Sequence, residues 1–189
     1  MKNIKALAIC GSLRKDSFNL KLLKIAIKIA KENGIETAAA NLGELNLPVY
    51  NYDIETQGFP EPVRQLSEMV KNADLLLIAS PEYNFSVSGA LKNAIDWVSR
   101  VKPNPFSGKA AAIFGASTGP FGTVRGQNQL RQILSCVNVM VLPQPQVLVA
   151  AADTVFEVDG SLKLKAAEDK LRELIVSTSE LAAKLKITR

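Results

Sequence analysis

Residues 4–19 read IKALAICGSLRKDSFN, and the rest of the chain is organised around this stretch. The apolar run over residues 4–10 predicts a short buried strand. A polar loop led by Gly11 follows, and the chain then enters an amphipathic segment that runs to Asn33 and stops at Gly34. This order predicts a strand, a loop and a helix in succession, with the loop at the start of the helix.

The loop has the composition of a phosphate-binding site. It offers the hydroxyls of Ser12 and Ser17, the guanidinium of Arg14 and the amide of Asn19. The first N–H groups of a helix have no partner within the helix, and the helix dipole is positive there, so an anion is stabilised. The loop matches neither the G-x-G-x-x-G fingerprint nor the P-loop. Taken alone, it is equally consistent with Ser17 as a simple helix cap and Arg14 as a solvated side chain.

Apolar periodicity predicts alternating strands and helices along the rest of the chain. Further strands are predicted over residues 35–42, 74–80, 110–115 and 138–142, with residues 147–150 as a candidate continuation of the last. Further helices are predicted from residue 61 and over residues 89–101, 123–137 and 162–185. Such alternation indicates parallel strands with helices on both faces, in one doubly wound domain over residues 1–189. The long polar connection over residues 43–62 is interpreted as a rim, an interface or a plain surface excursion.

The composition excludes several classes of chemistry. The 189 residues contain no histidine, so Ser-His-Asp and Cys-His nucleophiles and histidine-ligated zinc are excluded. The two cysteines, Cys10 and Cys136, are interpreted as small core residues, and no metal site is predicted. The net charge of +5 is scattered along the sequence, which argues against a nucleic-acid partner.

The chain is expected to be cytoplasmic, without a membrane partner. No apolar segment has the length needed to span a bilayer. A secretory signal is rejected because the apolar run over residues 4–10 is too short and is followed at once by Arg14 and Lys15.

Polar loops follow the first, third and fourth predicted strands, where ligands bind in open parallel sheets. The second of these loops, PEYNFSV over residues 81–87, offers the rings of Tyr83 and Phe85 and nearby backbone donors to a flat heteroaromatic ligand. The third, ASTGPFG over residues 116–122, permits close approach of its backbone to a ligand because of its glycines. For each loop, an ordinary strand-to-helix turn is the alternative. The convergence of all three predicts a ligand site.

Three motifs make the chain resemble the NADPH-dependent FMN reductase family, in particular its quinone and chromate reductase branch. They are GSLRKDSFN at residues 11–19, SPEYNFSVSGALKNAIDW at residues 80–97, and the GAST…R…LRQIL region at residues 115–134. The resemblance implies a flavodoxin-like fold, with a five-stranded parallel sheet of order 2-1-3-4-5 and helices on both faces. It also implies FMN bound without covalent attachment, and homodimers or homotetramers.

The same resemblance assigns residues to the FMN site. The phosphate is expected at Ser12, Arg14, Ser17 and Asn19, and Phe18 is expected to be a further FMN-binding residue. The loop along the isoalloxazine ring is expected at Pro81, Glu82, Tyr83, Asn84 and Phe85, with Glu82 in a structural role rather than as a general base. Ser117 is similar to the family's contact from the third loop.

The activity implied is that of an enzyme that takes electrons from NADPH or NADH through FMN. By a ping-pong route it would pass them to a small-molecule acceptor, such as a quinone, a free flavin, an azo dye, a nitroaromatic compound or chromate. No side chain is nominated as catalytic, because the flavin carries the chemistry. The alternatives are a flavodoxin-type electron carrier and an FMN-binding sensor without reductase activity. The net charge of +5 argues against a carrier, because carriers typically have an acidic surface.

Overall fold

A parallel sheet surrounded by helices forms the body of the structure, a computed structural model that describes residues 4–187. The elements follow one another along the chain as β1 (Lys5–Cys10), α1 (Phe18–Glu32), β2 (Glu36–Ala40), α2 (Leu42–Leu45), α3 (Tyr52–Thr56), α4 (Glu61–Lys71), β3 (Leu75–Ala79), β4 (Glu82–Tyr83), β5 (Ser86–Val87), α5 (Gly89–Arg100), β6 (Lys109–Ala116), α6 (Val124–Cys136), β7 (Val139–Val141), β8 (Val147–Val149), α7 (Ala152–Val155) and α8 (Lys165–Ile187).

The strands of the main sheet lie in the order β2-β1-β3-β6-β7, and all neighbouring pairs are parallel. Two short strands share the fifth position. β7 pairs with residues 109–111 of β6, and β8 pairs with residues 114–116 of the same strand. The segment between β7 and β8 contains Pro143 and Pro145, which interrupt a strand because proline has no N–H to donate. The predicted flavodoxin-like fold is confirmed. The predicted strand order 2-1-3-4-5 matches the observed order β2-β1-β3-β6-β7 when β4 and β5, which form a separate sheet, are left out of the count.

Alternate side chains of the central strands face two separate hydrophobic layers. Leu75 and Leu77 of β3 belong to the core formed with α1 and α8, whereas Leu76 and Ile78 belong to the core formed with α4, α5 and α6. Both β3 and β6 are buried along their whole length, as expected for central parallel strands covered on both faces.

The long connection before α4 is more ordered than its composition indicates. It contains the short helices α2 and α3, and it is fixed to α5 by side chains. Trp97 is fully buried, and its indole N–H donates to the Pro48 carbonyl at 2.7 Å. The amide of Asn93 donates to the same carbonyl at 2.9 Å and accepts the Tyr50 N–H at 2.8 Å. The connection is therefore attached to α5, and its role as a rim, an interface or a plain surface excursion stays a prediction.

Three other features differ from prediction. Residues 81–87, predicted as a loop, form the hairpin of β4 and β5. The last helix begins at Lys165 rather than at residue 162, because Leu162 forms a β-bridge with Phe156. Cys10 is buried as predicted, but Cys136 is exposed at the end of α6.

Between residues 4 and 187, no helix is both long and apolar enough to cross a membrane.

Candidate functional site

The carboxyl ends of β1, β3 and β6 bring the three predicted loops to one edge of the sheet. Hydrogen bonds join the loops there. The Ser88 hydroxyl donates to the Gly11 carbonyl at 2.6 Å, and the Tyr83 hydroxyl lies 3.3 Å from the Ser12 hydroxyl. Pro81 is buried against the first loop, where a Cβ on Gly11 would lie 3.0 Å from its Cδ. The first two loops are therefore in direct contact, as the predicted site requires.

The first loop presents hydrogen-bond donors that the protein does not use. Ser17 caps α1, and its hydroxyl accepts the Asn19 N–H at 3.2 Å. Within residues 4–187, no backbone hydrogen bond is donated by the N–H groups of Lys15 or Asp16. The first turn of α1 contains no acidic residue. These open donors at the positive end of α1 suit an anion.

The guanidinium of Arg14 stands beside these donors. Arg14 is exposed, and its Nη2 donates to the Asp16 carbonyl at 3.4 Å. In the described part of the chain, no carboxylate forms an ion pair with Arg14. A planar guanidinium without a carboxylate partner is free to bind a phosphate through two parallel hydrogen bonds.

Asn19 and Phe18 turn toward the protein rather than toward the open side of the loop. The buried amide of Asn19 donates to the Ala116 carbonyl and accepts the Ala116 N–H, both at 2.9 Å. The Phe18 ring stacks on Phe156 with 5.6 Å between centroids. Both residues therefore support the loop from behind. Their direct contact with a phosphate stays a prediction.

The second loop turns sharply at Asn84 and Phe85, whose φ values are 50° and 64°. Two successive residues with positive φ form the type I′ turn that suits a two-residue hairpin. Asparagine adopts this conformation readily, whereas at the bulky Phe85 it is uncommon and carries strain on the order of 1–3 kcal/mol. The turn leaves Tyr83 and Phe85 exposed, at 48% and 63% of their surface. The hairpin therefore presents two aromatic rings beside the phosphate loop.

Helix α6 holds this hairpin in place. The Glu82 carboxylate accepts the Gly126 N–H at 2.8 Å, in the first turn of α6, where Thr123 supplies no side-chain cap. The amide of Gln129 donates to the Phe85 carbonyl at 3.0 Å. Glu82 therefore has the predicted structural role. Its carboxylate links the hairpin to α6 and stabilises the positive end of that helix.

Gly126 and Gln129 are supporting residues that the sequence did not reveal. Both bonds to the hairpin join residues 44 positions apart, and neither position belongs to a recognisable motif.

The third loop is built around close backbone contacts. A Cβ on Gly115 would lie 2.3 Å from the Ser80 carbonyl oxygen and from Thr123 Oγ1, so only glycine fits there. Half-buried Ser117 accepts the Gly119 N–H through its hydroxyl at 3.2 Å, and its carbonyl accepts the Ala152 N–H at 3.0 Å. Gly115, just before the predicted loop, therefore permits a close contact within the protein, and close approach of a ligand to the glycines of the loop stays a prediction.

The titratable groups of the site do not form a nucleophilic centre. Cys10 lies at the end of β1, and burial raises the pKa of its thiol, with a smaller opposing contribution from a backbone hydrogen bond at Ser12. Within residues 4–187, no group of three or more histidine, cysteine, aspartate or glutamate side chains is arranged to hold a metal. The site is suited to binding a ligand that brings its own chemistry.

The fold and the three loops define a flavodoxin-like α/β protein with a site for a phosphorylated ligand. A sequence profile described as NADPH-dependent FMN reductase matches residues 4–154. The chain therefore belongs to the NADPH-dependent FMN reductase family, as its motifs predict. Membership confirms the prediction of an oxidoreductase that uses FMN and NADPH or NADH.

Curated proteins and solved structures are similar along most of the chain. An NAD(P)H-dependent FMN reductase of Pseudomonas aeruginosa is 46% identical over 173 residues, which cover 92% of this chain and 90% of that protein. An NAD(P)H:quinone oxidoreductase of Solanum tuberosum is 39% identical over 188 residues, which cover 97% of this chain and 95% of that protein. The flavoenzyme NAD(P)H:(acceptor) oxidoreductase FerB of Paracoccus denitrificans has a TM-score of 0.82 and 32% identity, and the match covers 96% of this chain and 98% of that one.

Proposed function

We propose that this protein uses NADPH or NADH to reduce quinones, and that free flavins and chromate are further acceptors. The observation that carries this proposal is the contact between the phosphate loop and the aromatic hairpin, through Ser12 and Tyr83. One loop supplies free anion donors, and the other supplies rings and backbone groups for a flat ligand. Relatives named as FMN reductases and quinone oxidoreductases support this assignment.

The residues of the site fit FMN. Arg14 and the free N–H groups of the first loop would hold the phosphate, and the hairpin at residues 82–87 would lie along the ring. Bound FMN supplies the redox chemistry, because it takes a hydride from the nicotinamide and gives two electrons to an acceptor. The protein's task is then to orient the ring and to leave one face accessible, which requires no histidine.

A ping-pong route follows from a single accessible face. The nicotinamide must leave before the acceptor takes its place, because both need the same position. Initial rates with varied NADPH and quinone should give parallel double-reciprocal lines. Intersecting lines would show that donor and acceptor are bound together, and simple ping-pong turnover would be wrong.

The visible spectrum of the purified protein tests the reaction class. A yellow protein that is bleached by anaerobic NADPH and recovers its colour on addition of a quinone has the proposed activity. A yellow protein that NADPH does not bleach would be an electron carrier, and one that bleaches without turnover on any acceptor would be a sensor. A colourless protein that does not take up FMN would contradict the proposal entirely.

A homodimer or homotetramer is part of the proposal. Val49 and Tyr52 expose 82% and 66% of their surface on a connection that Trp97 and Asn93 hold against α5, so an apolar surface is presented in a fixed position. Light scattering of the purified protein measures the mass, and a monomer would contradict this part.

The cytoplasmic location and the lack of nucleic-acid and membrane partners stay predictions. The organisation of residues 1–189 as one domain also stays a prediction, because residues 1–3 and 188–189 lie outside the described range.

A further inference from the structure

Arg125 stands at the rim of the site between two exposed aromatic rings. Its guanidinium carbon lies 4.2 Å from the centroid of Phe85 and 5.0 Å from that of Phe121. Phe85 belongs to the hairpin after β3, and Phe121 to the loop after β6. These rings expose 63% and 59% of their surface. Two of the three loops of the site therefore meet around one cation.

The charge of Arg125 is not neutralised by the protein. In the part of the chain that the structure describes, no carboxylate forms an ion pair with it. The acidic side chain of the adjoining hairpin, Glu82, is bound to the Gly126 N–H at 2.8 Å. The two cation–π contacts restrict the guanidinium, so a bound anion would cost less further side-chain entropy than at an uncontacted arginine.

The hairpin is thus contacted on one side of its turn by the loop that carries Arg14, and on the other side by Arg125 itself. Tyr83 touches the loop of Arg14 through Ser12, whereas Phe85, two residues further, touches Arg125. FMN carries one phosphate, for which the first loop supplies Arg14 and free N–H groups. Arg125, a second cation on the other side of the turn, is available to a second anion.

We propose that Arg125 determines specificity for the electron donor by binding the phosphates of the nicotinamide dinucleotide. This inference rests on the proposed function. The donor carries a pyrophosphate, and NADPH a further 2′-phosphate, whereas a quinone acceptor is uncharged. A guanidinium binds such phosphates through paired hydrogen bonds. Arg125 therefore distinguishes the two substrates that use the same face of the flavin.

The test compares Arg125→Ala with Arg125→Lys in the FMN-loaded protein. We expect Arg125→Ala to lower kcat/KM for NADPH about tenfold and to leave kcat/KM for a neutral quinone unchanged. Arg125→Lys should recover part of the loss, because it keeps the charge without the planar fork. Arg64→Ala is the matched control, because it removes the same charge from an exposed ion pair on α4.

A binding measurement without turnover completes the test. Adenosine 2′,5′-bisphosphate carries donor phosphates but no nicotinamide, and calorimetry on the holoprotein should show it binding about tenfold more weakly to Arg125→Ala. Unchanged donor kinetics and probe binding in Arg125→Ala would overturn the inference. Weaker FMN binding with an unchanged donor kcat/KM would also overturn it, and would assign Arg125 to support of the hairpin. If NADPH does not bleach the flavin of the wild-type protein, the proposed function is contradicted instead. The binding of the bisphosphate probe does not depend on turnover, so the two failures can be distinguished.

Discussion

The side chain of Asn19 pairs with the backbone of Ala116 much as a neighbouring strand would. Its amide N–H donates to the Ala116 carbonyl and its carbonyl accepts the Ala116 N–H, both at 2.9 Å. The two residues are 97 positions apart in sequence. One side chain therefore connects the first turn of α1, at the phosphate loop, with the end of β6, where the third loop begins.

Replacement of Asn19 by alanine leaves the buried polar groups of Ala116 without partners. We expect the free energy of unfolding in urea to fall by about 2–3 kcal/mol, and FMN to bind more weakly because two loops lose their connection. The control is Asn128→Ala, at an exposed position on α6, which should change stability by less than about 0.5 kcal/mol. Equal stability of the two variants would show that the Ala116 pairing contributes nothing.

Arg14→Ala removes a charged donor from the phosphate loop. Because the phosphate would lose a charge-assisted hydrogen bond, FMN binding should weaken by about 1.5–3 kcal/mol, with little change in the unfolding of the apoprotein. Titration of the apoprotein with FMN, followed by flavin fluorescence, measures the affinity. An affinity equal to that of the wild type and of Arg64→Ala would remove Arg14 from the phosphate site.

Glu82 should act through the geometry of the hairpin rather than through proton transfer. Glu82→Ala removes the cap of α6, so we expect a loss of about 1 kcal/mol in stability together with weaker FMN binding. Glu82→Gln keeps a carbonyl oxygen for the Gly126 N–H and should recover most of both. A fall in kcat of about 100-fold or more in Glu82→Gln, with normal FMN binding, would instead indicate a general acid or base.

Two glycines near the site should respond oppositely to alanine. At Gly115 the added Cβ would lie 2.3 Å from the Ser80 carbonyl oxygen, a backbone atom, so stability should fall by about 3 kcal/mol or more. At Gly89, in the first turn of α5, a Cβ meets no atom within 4 Å, and alanine should leave stability unchanged or raise it by up to about 1 kcal/mol. Chemical denaturation of the two variants measures the difference, and a tolerated Gly115→Ala would contradict the close approach.

The two thiols should react with an alkylating reagent at different rates. Cys136 is exposed, whereas burial shields Cys10 and raises the pKa of its thiol. Because the thiolate is the reactive form, Cys10 should remain unmodified in the folded protein even as the pH rises into the ordinary cysteine range of about 8.5. Mass spectrometry after short exposure should find one modification, which Cys136→Ser abolishes. Rapid labelling of both thiols would show that the reagent reaches Cys10 at the end of β1.

The main architecture was predictable because the signals for it are local. β3 is a continuous apolar run, and Pro143 and Pro145 divide the fifth strand. Ser88 stands directly before α5 and caps it, because its hydroxyl accepts the Leu91 N–H. The placement of loops after β1, β3 and β6 follows from the alternation itself. The three loops could therefore be placed together at one edge of the sheet from the sequence.

What the sequence did not reveal depends on contacts between distant residues or on very short elements. The helices α2 and α3 have four and five residues, too few to establish a helical period. The hairpin of β4 and β5 turns at Asn84 and Phe85, which lack the glycine that usually indicates such a turn. The inward direction of Asn19 depends on the position of Ala116, which no local pattern encodes.

The burial of Trp97 under the long connection gives the protein an internal optical reporter. It is the sole tryptophan of the chain, and its indole N–H is bound to the Pro48 carbonyl, with the Tyr50 ring edge-on at 5.0 Å. Its emission therefore comes from one place, the surface where residues 48–50 meet α5. A red shift on warming would record the release of that segment, so its attachment can be followed separately from the visible absorbance of a bound flavin.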